Sequence, residues 1–398
     1  MWLLVFLYFI VTLLISWMLF GYLLLIWFMG RFKERKPLSF PEVWPTMSVV
    51  VPCYNEAGGI LEKLEDLRRQ DYPADRLEVI FCDGGSSDDT VRLLEEAIRA
   101  DEPIRVIRSP RKGKIHQLNH VLPSLKGDLV VNTDADARLS QDALKWMASE
   151  FCANPEVWVV GAYSTPLNTI DIEHYYWDAQ NKGRFMESDA ETASIVISQC
   201  YAFRRELLSA FPDDVVADDI YTAFLGNVKG YRTVYSRYAI AHETRLPQSY
   251  EEFLPHKFRK SNAFLRESMR FIYLLPEMKG FLKMLALTRI VQQLLLPWAM
   301  LSWVLIACSL LTLFRPDIVV LDVIFLSILF TCTSRVFAWV KLPDGERRYS
   351  LPTIIKGYLL TNLVLLATGI SYPFFRQWSC YQRLAGCRKA ENREEADA

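Results

Sequence analysis

Met1 to Gly30 contains no charged residue. A helix needs about 20 apolar residues to cross a bilayer, so this run is ample. A secretory leader would carry an apolar core of only ~7–15 residues ending at a small-residue cleavage site, and neither feature is present. The run is expected to be a retained membrane anchor. A net charge of −1 over 398 residues gives no electrostatic reason to bind nucleic acid. The eight cysteines lack metal-ligand spacing. Cys53 and Cys82 fall at the ends of expected strands and Cys308 and Cys332 in apolar runs, as free thiols do in a reducing compartment, so no disulfide is expected. No G-x-G-x-x-G follows the first expected strand, and Gly58-Gly59 does not supply it, which disfavours nicotinamide and flavin enzymes. No internal repeat is present, and no low-complexity stretch precedes the charged tail from Arg388.

Arg31, Lys33, Arg35 and Lys36 follow the anchor. Positive charge beside a span marks the cytoplasmic side, so the polar region up to about residue 280 is expected in the cytoplasm. Three further apolar runs, 290–314, 318–340 and 354–375, make this a multi-pass membrane protein in expectation. Arg376, Arg383, Arg388, Lys389 and Arg393 argue for an inner C-terminus, yet three crossings would put it outside. A re-entrant or flat-lying segment would remove the conflict. The organisation expected is an anchor at 1–30, a cytoplasmic polar domain at 31–248, amphipathic helices at 249–283, three membrane segments at 284–378 and a charged tail at 379–398.

Within the polar region apolar runs alternate with amphipathic ones. Strands are expected at Met47–Cys53, 77–82, 104–107, 129–131 and 157–160, and helices at 61–69, 91–100 and 115–125. Such β-α alternation predicts right-handed crossovers and a mostly parallel sheet covered by helices.

Chemistry gathers at the strand ends. The fourth strand runs into Asp134-Ala135-Asp136. Alternation along a strand would put both carboxylates on one face, at the end of an α/β strand where ligands bind. Two converging carboxylates repel, and a divalent cation carrying a diphosphate relieves them. A solvated turn is the competing reading. The first strand ends in Pro52-Cys53-Tyr54-Asn55-Glu56. The second ends in Asp83-Gly84-Gly85-Ser86-Ser87-Asp88-Asp89-Thr90. There the glycines suit a tight turn and Ser87 or Asp88 a helix cap, leaving Asp83 free to accept from a base or ribose. Arg111-Lys112-Gly113-Lys114 precedes a helix, where positive charge and backbone donors suit phosphate.

Taken in order and spacing, these motifs resemble the inverting family-2 glycosyltransferases of the GT-A fold, an α/β, Rossmann-like, mostly parallel architecture. The resemblance covers about residues 45–265 and continues through Phe203-Arg204-Arg205, Ala217-Asp218-Asp219 and the 249–259 segment. It implies a nucleotide-sugar donor, a UDP-sugar by the family's pattern, held by Pro52, Tyr54, Glu56, Asp83, Lys114 and Asp134. It implies Mg2+ or Mn2+ on Asp136 and Asp134, with His242 as a further ligand. Asp219 matches the family's catalytic base, and Arg259 the arginine of its QxxRW element. Asp218, Gln199 and His256 are expected on the acceptor side, with Ser198 and Tyr201 near them; Asp213 and Asp214 are decoys for the base.

The QxxRW element reads His256-Lys257-Phe258-Arg259-Lys260. Loss of its Trp, part of the acceptor floor in processive synthases, argues for a nonprocessive enzyme acting on a lipid-linked or membrane-associated acceptor. A processive synthase that exports its polymer, and a non-catalytic membrane scaffold, are the alternatives. Residues 250–274 look amphipathic and basic, suited equally to an anionic membrane surface or to packing on the catalytic domain.

Overall fold

The computed structural model describes residues 1–33, 37–278, 280–313 and 315–374. Arg35, Lys36 and the basic tail lie outside these described residues.

Eight strands form one sheet: β1 (Met47–Cys53), β2 (Leu77–Asp83), β3 (Ile104–Arg108), β4 (Leu129–Thr133), β5 (Ala137–Leu139), β6 (Val157–Pro166), β7 (Cys200–Arg204) and β8 (Arg232–Glu243). Their order is β3-β2-β1-β4-β7-β6-β8-β5. The helices are α1 (Trp2–Ser16), α2 (Tyr22–Arg31), α3 (Ile60–Arg68), α4 (Thr90–Ala97), α5 (Lys114–Val121), α6 (Ala143–Ala153), α7 (Asp171–Ala190), α8 (Asp218–Val228), α9 (Tyr250–Phe271), α10 (Gly280–Thr312), α11 (Pro316–Trp339) and α12 (Leu351–Ser371).

The central strands are apolar on both faces because helices cover both. Alternation divides them: Val49, Val51, Phe81 and Val131 pack with Leu64, Leu67 and Met147 on one side. Val50, Ile80, Cys82 and Val130 pack with Ile115, Leu118 and Val121 on the other. Strands β1 to β4 pair in parallel, as the alternation predicts. Beyond β4 the sheet is mixed. Strand β7 is antiparallel to both β4 and β6, and β5 is antiparallel to β8.

The chain builds β2 and β3 on one side of β1 and β4 on the other. This reversal opens a crevice at the carboxyl ends of β1 and β4, between the loops carrying Glu56 and Asp134. Antiparallel β7 then brings Gln199 beside it, where its carbonyl accepts from the Asp134 N–H at 2.9 Å.

Helices α1 and α2 join through a π-helical turn, Trp17–Gly21, into one rod of 30 residues. Helices α10, α11 and α12 are also long and apolar enough to cross a membrane. At the seam with the catalytic domain, Glu187 of α7 accepts from Tyr22 and from Arg289 of α10, both at 2.6 Å.

Helix α9 resolves one open choice. Its Phe253, Phe264 and Phe271 are buried, worth roughly 1.5–3 kcal/mol each. Lys257 donates to the buried Glu173 at 2.8 Å, and Lys260 to Glu243 at 3.1 Å. The helix packs on the catalytic domain with these two basic residues turned inward.

Candidate active site

A single cavity of about 1390 Å³ runs from the carboxyl ends of β1 and β4 to the apolar helices. Pro52, Tyr54, Glu56, Lys114, Asp134 and Asp136 line it, as do Gln199, Asp218, Asp219, His256 and Arg259. Its wall also carries Leu23 of α2, Leu296 of α10, Phe337 of α11 and Asn362 of α12.

The two acids of the Asp134–Asp136 pair converge by a different route from strand alternation. Strand β4 stops at Thr133 and the carboxylates sit on a turn, closed by the Ala137 N–H donating to the Asp134 carbonyl at 3.1 Å. Lys63, fully buried on α3, clamps that turn from beneath. Its Nζ donates to Thr133 Oγ1 at 3.0 Å and to the Ala137 carbonyl at 2.9 Å. Thr244 donates to the Asp136 carbonyl at 2.7 Å, fixing the other side. Burial, then the Asp134 charge, pushes the Asp136 carboxyl up to about 6, with Arg245 opposing. Arg245 also donates to Glu56 at 2.8 Å, so it ties the first-strand motif to the acidic turn.

Lys114 lies at the start of α5, reached through Gly113 at φ 110°. It donates to Asp134 Oδ1 at 2.7 Å and lies 3.1 Å from Asp218 Oδ1. One ammonium thus joins the acidic turn to the pair at the start of α8. Asp218 is buried and anchored: Asn132 and Tyr201 donate to its Oδ2 at 3.0 and 2.8 Å. Its neighbour Asp219 is half-buried on the cavity wall. The Ser198 N–H donates to Asp219 Oδ2 at 3.1 Å, and the Ile220 N–H to Oδ1 at 2.8 Å. Burial, then the Asp218 charge, pushes the Asp219 carboxyl up to about 7, with Lys114 and the two backbone donors opposing. A carboxylate with that proton affinity is suited to take a proton near neutral pH.

Asp213 and Asp214 are exposed and pair with Arg111 and Arg270. Neither lines the cavity. His256 does, and neither of its buried ring nitrogens has a hydrogen-bond partner. Burial, with Lys260, Lys257 and Arg259 close by, drives its pKa far below the ordinary imidazole value.

Two residues expected at the site lie off the cavity wall. Asp83 does not line the cavity. Its carboxylate turns into its own loop, accepting from the Gly85 N–H at 2.9 Å and the Ser86 hydroxyl at 2.5 Å. That loop is tight enough to demand glycine, since a Cβ on Gly84 would meet the Gln117 amide at 2.0 Å. His242 is also off the cavity wall, whereas the next residue along β8, Glu243, is on it. Alternation along the strand turns the histidine to the other face. Among the described residues no three His, Cys, Asp or Glu side chains converge as a metal-holding group.

Sequence reading missed Lys63, Arg245, Asn132 and Glu243. Lys63 carried a signal: it shares the apolar face of α3 with Ile60, Leu64 and Leu67, where a lysine is out of place.

Residues 48–211 match the family described as Glycosyl transferase family 2. An N-acetylglucosaminyltransferase of Rhizobium meliloti (strain 1021) is 25% identical over 324 residues, 72% of this chain and 73% of the relative. One of the same name from Bradyrhizobium diazoefficiens is 28% identical over 260 residues, 60% of this chain and 53% of the relative. The chain therefore spans from about half to about three-quarters of these relatives. Among solved structures, a mannosyltransferase from Pyrobaculum calidifontis in complex with GDP-Man and Mn2+ superposes with a TM-score of 0.68 at 24% identity. That match covers 92% of this chain and 99% of the other. The likeness establishes the fold.

Proposed function

We propose, from the premise that this chain is a family-2 glycosyltransferase, that it moves a sugar from a nucleotide-sugar to a membrane-borne acceptor by a single inverting displacement. The observation that carries the reading is that Asp134, Asp136 and Asp219 line one cavity continuous with the apolar helices.

The donor diphosphate sits over the acidic turn. Tyr54, 44% exposed, and Glu56 lie on the first-strand side of that site. The donor is a UDP-sugar by the family's pattern, and the relatives' names make N-acetylglucosamine the first sugar to test. The chemistry of Asp134 and Asp136 fits a divalent cation: both offer hard oxygen ligands, and burial, then the Asp134 charge, raises Asp136. They would hold Mg2+ or Mn2+ together with donor oxygens, and the ion would supply charge neutralisation to the departing diphosphate. Lys114 adds a fixed positive charge on the same side. Lys63 keeps the turn rigid, so the carboxylates are aimed before the donor arrives.

Asp219 acts as general base. It accepts the acceptor hydroxyl's proton as the oxygen attacks the anomeric carbon, while the Ser198 and Ile220 N–H groups hold the carboxylate in one orientation. Asp218 fixes Lys114 and raises its neighbour's proton affinity. Arg259, Gln199 and His256 face the same space and are assigned to acceptor binding. The apolar stretch of the cavity takes the acceptor's membrane-embedded part, with the catalytic domain in the cytoplasm.

Continuity of the cavity with the membrane helices favours a second reading, a processive synthase that passes its polymer outward. The Lys260–Glu243 pair at the position of the missing Trp counts against it. A panel of nucleotide sugars with native lipid extract, read by mass spectrometry, tests both. A lipid-linked product extended by one or a few sugars supports the proposal, a long polymer supports export, and no transfer from any donor refutes both.

A further inference from the structure

Helix α12 passes for a membrane span by length and composition, but it packs unlike the other three candidates. We infer that α12 does not cross the bilayer. It lies in the plane of the inner leaflet as a cover between lipid and the catalytic cavity, and it keeps its last described residues, up to Phe374, on the catalytic side. This rests on the membrane placement proposed above.

The start of α12 is held at the catalytic domain. In the 340–350 connection Asp344 accepts from Tyr163 and, at 2.6 Å, from Thr165 of β6. Lys182 of α7 donates to Glu346 at 2.7 Å, and Arg347 and Tyr349 donate to Asp178 at 2.9 and 2.5 Å.

Its far end is held there as well. Lys356 Nζ lies 3.7 Å over the ring of Tyr250, the first residue of α9. The Arg266 guanidinium, late in α9, lies 5.4 Å from the ring of Tyr372, just past α12. From 356 to 372 and from 250 to 266 the chain advances equally, about 24 Å in a helix. Helix α12 therefore runs beside α9 in the same direction. Helix α9 is bound to the catalytic domain along its length, by Lys257 to Glu173, Lys260 to Glu243 and the Val216 N–H to Glu267 at 2.9 Å. A neighbour that follows it end to end cannot also reach the opposite side of a bilayer about 30 Å thick.

The crossing with α10 agrees. Tyr358 OH approaches Met300 Sδ at 3.1 Å, and Gly369 sits against the Trp298 indole. These sites are about 16 Å apart along α12 but only about 3 Å apart along α10, so the axes cross steeply. By contrast α10 runs along the first rod, with Gln292 donating to the Met18 carbonyl and Trp303 to Thr12 at 3.1 Å.

Helix α12 contributes to the cavity wall along its length, from Leu351 and Ile355 through Leu359 to Thr361, Asn362 and Leu365. The tail's Arg376, Arg383, Arg388, Lys389 and Arg393 then obey the positive-inside rule, which three crossings after the catalytic domain would violate.

The test uses the full-length chain with Cys152, Cys308, Cys332, Cys380 and Cys387 replaced by serine. Pro352→Cys and Ile370→Cys, both exposed and off the cavity wall, each carry a fluorophore, and quenching by lipids labelled at known depths locates both. Equal depth is expected; a spanning helix would separate them by about 27 Å and overturn the proposal. A second measurement, independent of these variants, places one epitope after Ala398, one after Leu313 and one in the catalytic domain at Asp75. Antibody access is compared in right-side-out and inverted vesicles. The Ala398 and Asp75 epitopes are expected on one side and the Leu313 epitope on the other. Ala398 siding with Leu313 would overturn the inference while sparing the membrane placement. Asp75 and Leu313 on one side would overturn both.

Discussion

Replacing Asp219 by Asn should abolish transfer while sparing donor binding, because the carboxylate lies on the cavity wall and is held by Ser198 and Ile220, not by the groups assigned to the donor. Its oxygens are held by two backbone N–H groups, at 3.1 and 2.8 Å, which an amide can satisfy only through its single oxygen. The fold should survive, since the side chain is half-buried and, among the described residues, carries no ion pair at contact distance. Removing a positioned general base costs about 10²–10⁴-fold in rate, or about 2.7–5.5 kcal/mol in the barrier. The wild-type pH profile supplies the second half of the prediction. Burial and Asp218 raise Asp219 to about 7, so the active, ionised base is lost as pH falls through 7. At pH 5 about one molecule in a hundred would keep it, and turnover should sit about a hundredfold below its plateau. Asp218→Asn removes the second cause of the shift and leaves Lys114 to favour the anion, so the acidic limb should move to lower pH. Turnover of donor and acceptor is followed by released nucleotide across pH 5–9, with calorimetry for donor affinity. A D219N enzyme within tenfold of wild type, or an acidic limb unmoved in D218N, would refute the assignment.

Asp136→Asn should lower turnover by about 10²–10³-fold and raise the Mn2+ concentration needed for half-maximal rate, read by metal titration; an unchanged metal requirement would contradict the role. Lys63→Met strips one donor from Thr133 Oγ1 and one from the Ala137 carbonyl, which keeps its bond from Arg138 at 3.1 Å, so the cost is about 1–3 kcal/mol for a single buried acceptor. Its kcat should fall while the acidic limb of the pH profile stays put, since Lys63 acts on the turn and not on Asp219. Arg289→Met leaves Glu187 charged and without its cation at the domain–membrane seam, at a cost of about 3–5 kcal/mol, and thermal unfolding in detergent should show it. Adding Glu187→Gln should recover part of that loss; a double variant no better than the single one would contradict the pairing.

The parallel half of the sheet was legible because its strands are apolar runs bounded by turn chemistry, and three of them, β1, β3 and β4, run into motifs that line the cavity. The antiparallel course of β7 was not, since Cys200–Arg204 reads as any short apolar strand. Which carboxylates meet was legible only through family pattern: Asn132 and Asp218 are 86 positions apart, Glu56 and Arg245 189. Asp83 and His242 lie off the cavity wall for a shared reason. Local sequence shows that a polar residue sits at a strand end, but whether it faces the cavity or its own loop depends on register and on the nearest donors. Helix α9 was ambiguous because a basic amphipathic helix looks the same whether acids or lipid lie opposite; Glu173 and Glu243, far away in sequence, decide it. A helix long and apolar enough to cross a membrane was plain from the first thirty residues. The course of α12 beside α9 was not, because composition measures apolarity and not direction.

The anomeric configuration of the first product tests the central claim most directly. If a single base takes the acceptor proton opposite the departing diphosphate, the early product seen by proton NMR must carry the configuration opposite to the donor sugar. A product that retains the donor's configuration would require a covalent intermediate and would contradict the account.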